Sequence, residues 1–190
     1  MMVSDSGHLL SVQAGSARIA VPEKTPLHAT ATDILCMVTA YLHDGTTFLS
    51  SGDWVNALAA FCYGFGWLHF GSMSGYIEIP PGSCPLGTPF ERAPFVLCEK
   101  LREKSTRYAR LMDTARAAVV PAPEQGTAMH ATADRVLFIT AVYAGQGKRY
   151  QARGDAEDAL ACFSYGHGWL DAAVRAGMFS IRTDRDLFCV

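Results

Sequence analysis

The segment YGHGWLD, residues 165–171, puts His167 and Asp171 four residues apart, so that on a helix the imidazole and the carboxylate stand one turn from each other. A carboxylate so placed orients an imidazole for proton transfer or supplies the second ligand of a metal site. His69, which occupies the place of Asp171 in a matching earlier segment, would complete a three-ligand cluster if the fold brought the two segments together. Tyr165, two residues before His167, and Trp169, between the pair, complete a candidate ligand-binding set with His167, Asp171 and His69. Against that chemistry stands the pattern around His167. Leu160, Phe163, His167, Leu170 and Val174 follow one another at steps of three and four, an apolar stripe on which a histidine fills core space and bonds a neighbour. Neither a phosphate-cradling glycine loop nor an HExxH or GxSxG motif occurs, so no catalytic residue, metal or cofactor is assigned.

The matching segment belongs to an internal duplication. At an offset of 102, residues 28–79 face 130–181 without a gap, and 20 of the 52 positions are identical. HATA at 28 meets HATA at 130, and ALAAFCYGFGWL at 57 meets ALACFSYGHGWL at 159. Each copy reads as a helical hairpin. Thr25 with Pro26, or Thr30, opens the first long helix, and Thr127 opens its counterpart. Gly52 and Gly154 suit left-handed turn positions, and Asp53 and Asp155 are placed to cap the next helix. His28 and His130 read as local capping and packing residues, and Tyr41, Tyr63, Tyr143 and Tyr165 as core rings with bonded hydroxyls. The stripes Ala57, Ala60, Gly64, Trp67, Gly71 and Ala159, Cys162, Gly166, Trp169, Ala173 are small enough for the two hairpins to cross closely.

Between the copies, residues 79–91 read as a loop rich in proline and glycine, followed by a helix over 92–118. Leu97, Leu101, Tyr108, Leu111 and Ala115 form its apolar face, while Lys100, Lys104 and Arg107, interspersed with Glu99 and Glu103, read as a solvated side. The expected fold is all-α: a single helical bundle over 1–190, built from two duplicated hairpins related by a pseudo-twofold axis and joined by a long amphipathic helix.

Composition limits the function. Sixteen basic and eighteen acidic residues leave a net charge of −2, so no global field recruits nucleic acid. The apolar run at 57–71 is shorter than the ~20 residues of a bilayer span, and the N-terminus lacks the pattern of a signal peptide. Six cysteines without metal-type spacing read as reduced. These features predict a cytoplasmic protein with no membrane partner. The helix of the first copy is the exception to an ordinary surface. Where the second copy carries charge or small residues, it has Trp54, Val55, Phe70 and Met73. A helix apolar all round must be covered, by the connecting and N-terminal segments or by another subunit, so these four residues are candidate interface positions for a homo-oligomer or a protein partner.

YGHGWLDAAVRAGMF at 165–179, preceded by GDAEDALACFS, resembles the signature of an archaeal family of small helical proteins, domain of unknown function 357. GDWVNALAAFCYGFGWLHFGSMSGYI in the first copy is similar more loosely, departing at Phe65, His69 and Phe70. The resemblance implies an α-helical fold and an archaeal, cytoplasmic origin, and it carries over no catalytic residue. Together these readings predict a non-enzymatic scaffold or protein-binding module that self-associates; the alternative is a small-ligand or metal-binding enzyme centred on His167, Asp171 and His69.

Overall fold

A computed structural model describes residues 1–80, 86 and 89–189. Its described residues form six α-helices: α1 (Val3–Ser16), α2 (Pro26–Ser50), α3 (Trp54–Met73), α4 (Cys98–Ala118), α5 (Ala128–Arg153) and α6 (Ala156–Arg175). Each of two short ribbons pairs antiparallel strands. In one, β1 (Arg18–Ile19) meets β2 (Ile77–Glu78); in the other, β3 (Val119–Pro121) meets β4 (Phe179–Ile181). The fold is the all-α bundle that the periodicity predicts. No described helix is long and apolar enough to cross a membrane.

Local sequence sets the helix ends as expected. Thr25 and Thr127 accept hydrogen bonds from the backbone N–H groups of His28 and His130, 3.2 and 3.1 Å long, and Pro26 occupies the first turn. Gly52 and Gly154 take left-handed φ angles of 80° and 83°, where a Cβ is strained. Asp53 caps α3 through the N–H of Asn56 at 3.1 Å. Asp155 departs from the expectation: it sits at the cap position of α6 without a capping side-chain bond and instead accepts from Arg92 at 3.4 Å.

The duplication is longer than the sequence match. The offset of 102 also carries α1 onto the C-terminal part of α4, β1 onto β3 and β2 onto β4. Each unit is therefore a three-helix arrangement closed by a two-stranded ribbon, α1–α2–α3 and α4–α5–α6. The connecting helix begins at Cys98, after a 3-10 turn at Phe95–Leu97, and not at residue 92. Pro94 holds an extended backbone before that turn, which delays the helix. Much of the expected loop at 79–91 lies outside the described residues.

The units meet along α3 and α6. At the centre, a Cβ on Gly66 would collide with the Tyr165 carbonyl oxygen and lie 2.9 Å from the Gly168 Cα; a Cβ on Gly168 would collide with the Tyr63 carbonyl oxygen. Glycine is required there because two backbones occupy the space of side chains. This corrects the expected crossing. Gly64 and Gly166 pack within their own units, Gly64 against Leu10 and Tyr41, Gly166 against Met112 and Tyr143. The stripe two residues away makes the crossing.

The candidate interface residues also need correction. Val55 and Phe70 are fully buried in the chain's own core, and Trp54 is half-buried against it. Only Met73, 42 % exposed, reaches the surface substantially. The physical reason is coverage from within: α1, α2 and α6 enclose α3, and Phe70 lies edge-on to Trp169 at 5.9 Å between ring centres. A second subunit is not needed to shield Val55 or Phe70.

Candidate ligand-binding site

The antiparallel crossing brings polar residues of one repeat onto the other in matched pairs. Tyr63 donates its hydroxyl to Asp171 Oδ2 at 2.6 Å, and the Tyr165 hydroxyl meets His69 Nδ1 at 2.9 Å. Since Tyr63 corresponds to Tyr165 and His69 to Asp171, these are the same contact made twice about the pseudo-twofold axis. Divergence has made one a phenol–carboxyl pair and the other a phenol–imidazole pair.

The predicted trio is thereby divided. His167 and Asp171 share one side of the crossing, whereas His69 belongs with Tyr165. No group of three histidine, cysteine or acidic side chains able to hold a metal occurs among the described residues. His167 is buried; its Nε2 bonds the Leu187 carbonyl at 3.2 Å, and its ring packs edge-on to Tyr63 and Phe188. Asp171 is fully buried, and its other oxygen accepts from the backbone N–H of Cys189 at 2.9 Å. The C-terminal residues 187–189 therefore cover both. Trp169 is buried at the crossing, beside Tyr165 and Phe70.

Burial governs the titration of this interior. It pushes the Tyr63 phenol well above its ordinary range, reinforced by the charge of Asp171, and pulls His167 down. His69 is pulled by burial to about 4. Because its folded value lies below the ordinary 6.5, the unfolded chain binds the extra proton between these limits. Stability is thus expected to be full above pH 6.5 and to fall by about 3 kcal/mol as pH drops toward 4. Urea unfolding of the wild type and His69→Gln at pH 7.5 and 4.5 checks this: the wild type should lose more, and equal losses would refute the role of His69.

One polar residue that lines a cavity is not among the residues that the sequence motifs single out. A pocket of about 240 Å³ lies between α2, α3 and α4, lined by Tyr41, Phe48, Asn56, Tyr63, Lys104 and Tyr108, with Asp44, Ala59 and Ala60 completing it. Lys104, expected on the solvated side of the connecting helix, is only 7 % exposed. Its ammonium bonds Asn56 Oδ1 and lies 5.2 Å from the centre of the Tyr108 ring. Among the described residues it forms no ion pair; neighbouring Asp53 is bonded to Lys100 at 2.9 Å. Burial, with Arg107 nearby, lowers the Lys104 pKa from its ordinary value. A signal was present: Leu101, Lys104, Tyr108, Leu111 and Ala115 follow steps of three and four, so Lys104 stands within the apolar stripe.

The pocket connects to the crossing through Tyr63, whose ring lines the cavity and whose hydroxyl holds Asp171. Tyr41 stacks obliquely on Tyr63 at 4.5 Å and places its own hydroxyl 3.5 Å from Cys189 Sγ. The cavity thus has aromatic walls, one buried cation and an amide, with the inter-repeat pair behind it. This arrangement can bind and orient a small molecule; His167 and His69 do not line it.

Comparison with curated proteins and with solved structures finds no match. The family model described as "Protein of unknown function (DUF357)" matches residues 8–77 and again 107–179, thereby taking in the C-terminal parts of α1 and α4 as well as the two hairpins. With both units covered and most of the sequence matched, the chain belongs to the DUF357 family, as a tandem of two copies.

Proposed function

We propose that this protein is a small-ligand-binding helical module whose site lies in the pocket between α2, α3 and α4. The observation that carries this reading is Lys104: a lysine is almost never buried without a partner charge, and this one faces a cavity. The crossing of α3 and α6 serves that site structurally. It joins the two copies into one body and fixes Tyr63 from behind through Asp171.

The scaffold reading loses its first support, because α3 is covered by its own chain. It keeps a different one: Phe138 and Val142, one turn apart on α5, are 69 % and 47 % exposed. Self-association through that face of α5 is the second reading. The expected cytoplasmic setting belongs with either.

Native mass spectrometry of untagged protein, purified without chelator, tests both. A monomer carrying a stoichiometric small molecule, with the added mass lost in Ala60→Phe, is the result expected of the pocket. A ligand-free dimer dissociated by Phe138→Glu would replace it with the scaffold reading.

A further inference from the structure

We infer that the pocket's ligand is a small aromatic carboxylate whose anionic group supplies the counter-charge missing at Lys104. The inference rests on the pocket being a ligand site and specifies what it holds.

A buried ammonium is tolerated when it is paired and hydrogen-bonded. Asn56 provides a hydrogen bond but no charge, and an ammonium has three donors, so further bonds remain to be made. The charges around Lys104 do not pair it. Lys100 and Arg107 on its own helix are cations, Glu103 points from an exposed position, and Asp53 on α3 is held by Lys100. Asp44, on the α2 wall, is exposed at the mouth, where water screens it. A ligand anion placed at Lys104 would meet an ammonium on a side chain largely removed from water, where attraction between opposite charges exceeds that in bulk solvent.

Shape and charge select the rest of the ligand. Tyr41, Phe48, Tyr63 and Tyr108 offer ring faces and edges to a flat apolar body. The volume of about 240 Å³ is below the roughly 300–1,000 Å³ usual for larger ligands, which suits a single ring bearing one small group. The single buried ammonium neutralises a monoanion, whereas a dianion would keep an uncompensated charge. That difference favours a carboxylate over a phosphate.

The experiment titrates the full chain with benzoate, phenyl phosphate and benzyl alcohol, followed by calorimetry and by the ring-proton NMR signals of Tyr41, Tyr63 and Tyr108. Benzoate is expected to bind the wild type at least tenfold more tightly than the other two. In Lys104→Met its affinity should fall at least tenfold, while the ligand-free variant melts about 3 °C or more above the wild type, because an unpaired buried charge is gone. Equal binding of benzyl alcohol and benzoate to the wild type would overturn the carboxylate inference and leave the pocket reading standing. So would tighter binding of phenyl phosphate. If no probe perturbs the tyrosine signals and Lys104→Met melts below the wild type, both the inference and the pocket reading fail. The wild-type comparison decides by itself if the variant does not fold.

Discussion

Gly168→Ala is expected to destabilise the protein by about 2–3 kcal/mol and to lower its melting temperature by about 5–10 °C. The new Cβ would meet the Tyr63 carbonyl oxygen and approach the Gly66 Cα to 3.2 Å. Both are backbone atoms, which cannot rotate aside as a side-chain tip can. The two helices would have to separate, loosening Tyr63–Asp171 and Tyr165–His69 together. Helix propensity acts the other way by ~1 kcal/mol, so the figure is already net of that gain. Gly145→Ala provides the comparison. It also lies within a helix, but nothing stands within 4 Å of its Cβ, so it should stabilise by up to ~1 kcal/mol. Thermal unfolding of the two variants measures the difference directly. Two variants of equal stability would mean that α3 and α6 do not approach so closely.

Tyr63→Phe should cost about 2–3 kcal/mol, and Tyr165→Phe only about 1 kcal/mol, although the two tyrosines are equivalent by repeat. The asymmetry follows from their partners. Tyr63 serves an acidic side chain that is 0 % exposed and whose other oxygen holds Cys189, so removing the phenol leaves a buried carboxylate under-bonded. Tyr165 serves a half-buried imidazole held near neutrality by its lowered pKa. A bond between neutral groups is worth less. In a double-mutant cycle, Tyr63→Phe with Asp171→Asn should lose at least about 1 kcal/mol less than the sum of the single changes. Denaturant unfolding at pH 7.5 gives these numbers. Equal costs for the two phenylalanine variants would show that divergence at position 171 has not altered the energetics of the crossing.

The coupling bears on the proposed function because Tyr63 also lines the ligand pocket. A ligand there rests against a side chain whose hydroxyl is anchored in the other repeat. Duplication therefore offers something that two identical copies in a symmetric pair would not. One copy can keep the phenol–carboxyl pair while the other changes. On α4, where Lys104 opens the pocket, the equivalent place in the first copy is Met2, just ahead of α1. The lysine is a feature of one half only.

Features that depend on neighbours along the chain are legible without the fold. Repeat spacing revealed the duplication, threonine and glycine set helix ends, and three-to-four periodicity identified the helices, because caps and amphipathic faces are local. The same periodicity contained the clue to Lys104, which charge alone had assigned to the surface. What depended on contacts between distant segments had to await the tertiary structure. Small-residue spacing points to Gly64 and Gly166 for the crossing; helix packing instead uses Gly66 and Gly168 and turns Gly64 and Gly166 toward their own units. The repeat alignment offers His69 to His167 and Asp171, but antiparallel packing pairs it with Tyr165 instead. Val55 and Phe70 require cover that the sequence does not allocate between the connecting and N-terminal segments and a second subunit; α1, α2 and α6 supply it. Burial is a sum over all surrounding elements, and only their arrangement in space decides which of them supplies it.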